Sequence, residues 1–136
     1  GTASARAAAV LSPGLLAVID RSARSLSVDV RLVHAVMAAE SGFDAAARSP
    51  VGAIGLMQLM PLTARALGVD PHQPEQNVEG GVRYLAQLLR QFADVNTALI
   101  AYNAGPGYAQ RYRQRQVPLY GETRAYLARV QSLLAH

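Results

Sequence analysis

Apolar residues recur at helical spacing along most of this chain, and proline or glycine stands close to many of the boundaries between the repeating segments. Apolar side chains three and four residues apart share one face of an α-helix, whereas a half-buried strand alternates at every second residue. The helical pattern occupies six segments, at about residues 13–24, 28–41, 61–67, 76–92, 95–104 and 122–134. No segment alternates strongly, and residues 49–58 could form at most a minor short hairpin. The sequence therefore predicts a mainly α domain of about six helices.

Length and composition indicate a single folded domain. Of the 136 residues, 51% are hydrophobic and 16% charged, a balance that excludes intrinsic disorder. Cysteine is absent, which excludes a disulfide scaffold, a thiolate metal site and a cysteine nucleophile. We expect residues 1–26 to supply an N-terminal segment and a first helix that pack on a domain formed by residues 27–136. Within this segment, residues 1–12 are predicted to be poorly ordered or weakly helical.

The charge is basic and comes entirely from arginine. The 13 basic residues contain no lysine, and the net charge is +4. Such a chain could bind nucleic acid, anionic lipid or a wall polymer, but it has no helix-turn-helix or zinc signature, so nucleic acid is not expected. Its three histidines lack metal-ligand spacing, and we expect no metal, no other cofactor and no transmembrane segment. Gly105-Pro106-Gly107 is interpreted as a helix break, and Arg111, Arg113 and Arg115 as a solvated loop after it.

Glu40 is the first candidate for chemistry. It stands in the last turn of a mostly apolar predicted helix, directly after Met37, Ala38 and Ala39. Burial disfavours the charged form of a carboxyl and raises its pKa, and the negative end of a helix dipole acts in the same direction. A carboxyl that keeps its proton near neutral pH can serve as a general acid. The alternative is an exposed glutamate in a fraying turn, which is the commoner situation for an arbitrary glutamate.

Four sequence blocks surround this glutamate or follow it. They are Glu40-Ser41-Gly42-Phe43-Asp44, Ser49-Pro50-Val51-Gly52-Ala53-Ile54-Gly55-Leu56-Met57-Gln58-Leu59-Met60-Pro61, Ala101-Tyr102-Asn103-Ala104-Gly105-Pro106 and Glu122-Thr123-Arg124-Ala125-Tyr126. In this order they resemble the family 1 lytic transglycosylases, whose catalytic domain belongs to the lysozyme-like superfamily. The resemblance extends over about residues 25–130. It implies a lysozyme-like fold and cleavage of the β-1,4 bond between N-acetylmuramic acid and N-acetylglucosamine in peptidoglycan, without water, to leave 1,6-anhydromuramic acid ends.

The resemblance also implies roles for individual residues. Glu40 matches the single catalytic acid and base of the family, and Ser49 matches a serine near that glutamate. The remaining matched positions contact the glycan or line the site: Gln58, Met60, Tyr102, Asn103, Glu122 and Tyr126. Tyr126 corresponds to a tyrosine on the closing helix that is oriented towards the catalytic carboxyl. Met57, by contrast, is assigned to the core.

Two further functions compete with this interpretation. Ordinary glycosidases use two carboxylates, and the second nearby carboxylate is Asp44, which Gly42 separates from the helix that carries Glu40. A hydrolytic lysozyme on the same fold would use Asp44 to position water. A binding module without turnover would hold glycan strands or recruit a secretion or conjugation apparatus to the wall.

The expected partner is therefore peptidoglycan. A second partner could be an envelope-spanning secretion or conjugation machine, which the sequence does not decide. We expect a monomer in the periplasm or cell envelope, and the location rests on the resemblance. The sequence leaves open endo or exo cleavage, peptide-stem preference, the biological process and membership of a longer protein.

Overall fold

Helices dominate the computed structural model, which describes residues 8–136. Seven helices follow in chain order: α1 (Pro13–Ser25), α2 (Val30–Ser41), α3 (Pro61–Leu67), α4 (Pro74–Phe92), α5 (Val95–Ala104), α6 (Pro106–Arg113) and α7 (Gly121–Ala135). Between α2 and α3, the described chain forms isolated antiparallel bridges from Arg48 to Ile54 and from Ile54 to Leu59, but no strand. The mainly α prediction is confirmed, and the minor hairpin is reduced to these bridges. Of the segment predicted to be poorly ordered, residues 1–7 lie outside the described residues.

Helix α6 is the addition to the about six helices that were predicted, and it corrects the interpretation of the arginine segment as a loop, because it occupies part of that segment. Gly105, at φ 96°, ends α5 and also precedes α6, whose first residue is Pro106. Proline suits a first helical position, since its fixed φ is helical and its missing N–H would be unbonded there. The same Gly-Pro pair therefore ends one helix and begins the next. Arg111 and Arg113 lie in the last turn of α6, and only Arg115 follows it.

The core forms around α5, which packs against α4, α6 and α7. Residues 98–101 of α5 are all buried, so the middle of this helix is enclosed on every side. Helix α1 packs on α4 and α2, and α2 also packs on α7. Met57, from the segment between α2 and α3, is fully buried, which confirms its assignment to the core. The packing brings the C-terminal end of α2 against α7.

No helix within residues 8–136 combines the length and the hydropathy that a bilayer span needs.

Candidate active site

Glu40 occupies the last turn of α2, where the helix ends at the left-handed residue Gly42, at φ 59°. The Glu40 side chain keeps partial exposure, yet protein atoms surround it closely. This burial raises the pKa of Glu40 to about 8, and a hydrogen-bonding contribution from Tyr126 lowers that pKa in part. The carboxyl therefore carries its proton near neutral pH while remaining accessible. Desolvation is the cause expected from the apolar neighbours of Glu40 in the sequence.

Two buried tyrosines lie around this carboxyl. Burial raises the pKa of both Tyr102 and Tyr126, and the negative charge of an ionised Glu40 raises both further. The Tyr126 hydroxyl makes no hydrogen bond of standard geometry within the described chain, although it lies close enough to Glu40 for each to alter the pKa of the other. We interpret the contact as longer or less well aligned than a formed hydrogen bond, as is common for catalytic groups without substrate. Tyr126 thus has a free O–H that faces the carboxyl.

The backbone of Met57 is held by hydrogen bonds to both its N–H and its carbonyl. The Tyr102 hydroxyl donates to the Met57 carbonyl at 2.7 Å, and the Met57 N–H donates to Asn77 Oδ1 at 2.8 Å. Asn77 is fully buried on α4, and its Nδ2 also donates to the carbonyls of Ile54 and Pro71 at 2.8 and 2.9 Å. Such bonds offset the desolvation of a buried amide. The segment of residues 54–59, called here the groove loop, is therefore fixed to α4 and α5.

Two glycines permit the close approach of the groove loop to α4. Gly55 has φ +78°, and a Cβ atom there would lie 2.5 Å from Asn77 Nδ2. A Cβ atom at Gly81 of α4 would lie 2.4 Å from Met57 Cβ. Neither distance is compatible with a real side chain, so both positions require glycine for the loop to reach its place.

Gln58 and Met60 lie in and just after the groove loop. Gln58 adopts φ 50°, and its Nε2 donates to the carbonyls of Ala47 and Gly55 at 3.1 and 2.8 Å. Its side chain therefore braces the loop from within. Met60 immediately precedes α3 and is 40% exposed, so its side chain is available to a ligand.

Asn103 joins α5 to α7. Its Oδ1 accepts a hydrogen bond from Thr123 Oγ1 at 2.9 Å. Thr123 lies three residues before Tyr126, which places them about one turn apart on α7. The Asn103–Thr123 bond therefore helps to set where Tyr126 meets Glu40.

The predicted site residues thus divide into two groups. The structure brings Glu40, Tyr102 and Tyr126 together, and Gln58 and Asn103 belong to the segments that hold this cluster. The Ser49 hydroxyl accepts the Ala53 N–H at 2.9 Å within a turn, and Glu122 is exposed in the first turn of α7. No hydrogen bond among residues 8–136 joins Ser49, Met60 or Glu122 to Glu40.

Sequence reasoning missed three residues that build this site. Asn77 and Thr123 hold the groove loop and α7, and Tyr84 on α4 packs its ring against Tyr102, with 5.4 Å between ring centroids. Tyr84 is half-buried, and burial raises its pKa. The one local signal for Asn77 is a polar residue beside Val78 on an otherwise apolar helix face. No local sequence pattern indicates that Thr123 helps to build the site.

Asp44, the alternative second carboxylate, lies apart from α2. The chain turns away after Ser41 through Gly42 and Phe43, both at positive φ. Asp44 is exposed, and its Oδ1 accepts the Ala46 N–H at 2.9 Å in a local turn. The carboxylate therefore stabilises its own turn.

A helical domain that presents one protonated carboxyl among tyrosines defines a site for acid–base chemistry. Comparison with known families identifies its lineage: residues 17–119 match the family described as Transglycosylase SLT domain. The match covers most of the chain, and the protein belongs to this family.

Curated relatives agree with this family. A protein named Transglycosylase from Enterobacteria phage PRD1 is 45% identical over 92 residues, which cover 67% of this chain and 35% of the phage protein. Membrane-bound lytic murein transglycosylase F of Desulfosudis oleivorans is 37% identical over 110 residues, covering 75% of this chain and 24% of that protein. The chain therefore spans about a third or less of the length of these relatives.

Solved structures share the fold. An inactive Glu-to-Gln mutant of lytic transglycosylase Slt from Pseudomonas aeruginosa superposes with a TM-score of 0.74 at 33% identity. The 70 kDa soluble lytic transglycosylase of Escherichia coli gives a TM-score of 0.78 at 28% identity. Both matches cover 87% of this chain and 23% of the other. The prediction of a lysozyme-like, mainly α fold is confirmed.

Proposed function

We propose that this chain is the catalytic domain of a peptidoglycan lytic transglycosylase. It cleaves the β-1,4 bond between N-acetylmuramic acid and N-acetylglucosamine without water and leaves a 1,6-anhydromuramic acid end. Family membership supports the reaction class, and the observation that carries the proposal is Glu40, whose pKa burial raises to about 8. A carboxyl with this pKa can donate a proton and later recover one at neutral pH.

Glu40 acts twice in this mechanism. Its carboxyl first protonates the glycosidic oxygen, so the C1–O bond breaks and the N-acetylglucosamine end leaves as an alcohol. The substrate's own N-acetyl oxygen stabilises the positive charge that develops at C1. The ionised Glu40 then removes the proton from the C6 hydroxyl, whose oxygen bonds to C1 and closes the anhydro ring. Glu40 ends protonated, and no water is consumed.

The surrounding residues stabilise the two states of Glu40. Between the steps the carboxylate is charged in a desolvated place, and the free O–H of Tyr126 is the donor available to it. Tyr102 acts through the Met57 carbonyl and keeps the groove loop against α5. We assign glycan contact to Gln58, Met60 and Asn103, and keep Ser49 and Glu122 as proposed substrate-binding residues.

Two alternative functions fit the geometry less well. A hydrolytic lysozyme would need a second carboxylate to position water, and the exposed, turn-bound Asp44 is poorly placed for that. A binding module without turnover would have no use for a carboxyl with a raised pKa. Such a carboxyl costs stability at neutral pH, so its presence favours catalysis.

Mass spectrometry of the soluble products from purified peptidoglycan sacculi tests the proposal. Wild type should release muropeptides lighter by one water than their reducing counterparts, and Glu40→Gln should release none. Ordinary reducing ends would instead establish a lysozyme and direct attention to Asp44. Binding to the wall without products from wild type would favour the binding module.

The names of the relatives also support a location and a partner. Several are described as membrane-bound murein transglycosylases, so we propose an extracytoplasmic site of action and peptidoglycan strands as the substrate. A secretion or conjugation machine as a second partner, a monomeric state, and the division into residues 1–26 and 27–136 remain proposals.

A further inference from the structure

Tyr120 is an exposed aromatic residue at the start of α7, and the mechanism proposed above gives it no role. It immediately precedes Gly121, the first residue of the helix, and it is 55% exposed. A tyrosine ring is apolar apart from its hydroxyl, so this exposure leaves apolar surface in contact with water. That surface is available to a ligand.

One face of the Tyr120 ring is covered by a second tyrosine. The ring stacks on that of Tyr108, with 5.4 Å between the ring centroids and an angle of 25° between the ring planes. Tyr108 itself is buried in the first turn of α6. Because this stacking covers one face of Tyr120, the exposed surface belongs to the opposite face and to the ring edge.

The turn that carries this ring is held by hydrogen bonds at three consecutive residues. The Tyr108 hydroxyl donates to the Pro118 carbonyl and accepts the Tyr120 N–H, the latter at 3.1 Å. Between them, the Leu119 carbonyl accepts a hydrogen bond from Arg124 Nη2 at 2.8 Å. The ring is therefore fixed before a ligand arrives, and binding costs less conformational entropy than it would for a mobile side chain.

The ring stands at the outer end of a row of side chains that leads to the candidate active site. Tyr120, Thr123 and Tyr126 are three residues apart and therefore neighbours along one side of α7. Their exposure falls from 55% to 5% and 8%, and the last of them faces Glu40. At 1.5 Å per residue, Tyr120 lies about 9 Å from Tyr126 along the helix axis.

Two successive contacts join this side of α7 to the end of α5 and the start of α6. The inner contact is the hydrogen bond between Asn103 and Thr123, and the outer one is the stacking of Tyr108 and Tyr120. Asn103 and Glu122 are the proposed glycan contacts in this region. The open face of Tyr120 therefore continues the proposed glycan-binding surface away from the catalytic carboxyl.

We propose that the open face of Tyr120 binds a sugar ring of the glycan strand by stacking, outside the two sugars whose bond is cleaved. This inference rests on the proposed function, because the strand is the substrate of that reaction. A β-1,4-linked pyranose ring has faces of C–H groups with slight positive charge, which suit the electron-rich face of an aromatic ring. Tyr120 is thus a specificity-determining residue that favours strands long enough to reach it.

Binding is measured first, on the full chain carrying Glu40→Gln. The probes are oligomers of two to eight β-1,4-linked N-acetylglucosamine units, followed by calorimetry and by NMR. We expect nuclear Overhauser effects between the Tyr120 ring protons and sugar C–H protons, and a step in affinity at the length that first reaches this ring. Adding Tyr120→Ala should remove both and weaken binding of the longest oligomer about 10-fold, the scale of one aromatic stacking contact.

Controls separate stacking from a loss of structure in the turn. Tyr120→Leu keeps apolar bulk without an aromatic face and should bind as weakly as Tyr120→Ala, whereas Tyr120→Phe should rescue most of the affinity. All three variants keep the backbone N–H that bonds to Tyr108. Val95→Ala removes an apolar side chain that is 45% exposed beside Asn96, which contacts Gln131 far along α7, and affinity should not change. Wild-type affinity in Tyr120→Leu, or no Overhauser effect at Tyr120, would overturn the proposal.

Turnover then distinguishes the inference from the proposed function. With Glu40 intact, Tyr120→Ala should raise KM for long glycan strands about 10-fold and change kcat less than about 2-fold, since the contact is the same in the ground and transition states. Anhydro ends formed with an unchanged KM would contradict stacking while the reaction stands. No anhydro ends from wild type, with the Overhauser effects and the affinity step at Tyr120, would contradict the reaction while the binding surface stands.

Discussion

Glu40 combines two requirements that oppose each other, since a general acid must be desolvated to hold its proton yet exposed enough to reach a glycosidic oxygen. Its place in the last turn of α2 meets both, because Gly42 reverses the chain immediately after it. Burial raises the pKa of Glu40 from 4.5 to about 8. Any desolvated carboxyl that ionises in the folded state weakens that state, so the site carries a cost in stability.

Because of that cost, we expect Glu40→Gln to increase the free energy of unfolding in a pH-dependent way. Because the folded pKa lies above the unfolded one, the stabilising effect of the protonated carboxyl is complete below pH 4.5 and is lost as pH rises through about 8. Urea unfolding should show Glu40→Gln about 1–4 kcal/mol more stable than wild type near pH 8, and nearly equal to it near pH 4. A difference that stays constant across this range would show that Glu40 is not desolvated.

Tyr126→Phe should alter the titration of Glu40. The tyrosine hydroxyl lowers the pKa of Glu40, so its removal raises that pKa and moves the alkaline limb of the pH–kcat/KM profile to higher pH. The rate should fall about 10-fold, since the ionised carboxylate loses a donor. Tyr112→Phe, which alters a tyrosine outside the cluster, should leave the profile in place. An unshifted profile in Tyr126→Phe would exclude hydroxyl contact with Glu40.

The groove loop is ordered by contacts between elements. The Met57 N–H donates a hydrogen bond to Asn77 of α4, and the Met57 carbonyl accepts one from Tyr102 of α5. Both partners lie at least 20 residues away in sequence, so the loop conformation depends on the assembled helices. The motif therefore identifies this segment, whereas the local pattern of its residues cannot predict its conformation.

Asn77→Ala should loosen this loop and destabilise the domain. The change leaves the Met57 N–H and two carbonyls without their partner, which should cost about 2–4 kcal/mol of unfolding free energy. Asn77→Asp keeps the acceptor for Met57 but loses both donated bonds. In both variants KM for glycan should rise more than kcat falls, because the loop carries Gln58. Glu79→Gln, on the exposed face of α4, serves as a nearby control and should change stability by about 0.5 kcal/mol or less in denaturant unfolding, within the range of surface substitutions.

Local sequence signals predict helix boundaries well where a residue marks a single boundary. Pro61 begins α3, and Gly68, at φ 72°, ends it. Gly105-Pro106 marks two boundaries, since the pair both ends α5 and starts α6. The sequence prediction includes the end of α5 but not the start of α6. Glu40 is predictable from its apolar helix and the neighbouring blocks. Asn77 and Thr123 are not, because their partners become neighbours only after the helices pack.

At the scale of the molecule, the site is assembled by α2, α4, α5 and α7 around one core. Glu40 comes from α2, Tyr84 and Asn77 from α4, Tyr102 from α5 and Tyr126 from α7. Helix α1 supplies none of these residues, yet it packs on α2 and α4. Its contribution to the site is therefore indirect, through the positions of those two helices.

Ile19 tests whether α1 belongs to the same cooperative unit. It is fully buried within the contact of α1 with the rest of the core. Ile19→Ala should lower the unfolding free energy by about 2–5 kcal/mol, the usual cost of a large cavity, while Arg21→Ala on the exposed face of α1 should change it little. Circular dichroism and tyrosine fluorescence should then report one shared transition at a lower denaturant concentration. If Ile19→Ala instead melted α1 alone and left the tyrosine transition unchanged, residues 27–136 would fold without it and α1 would be an accessory element.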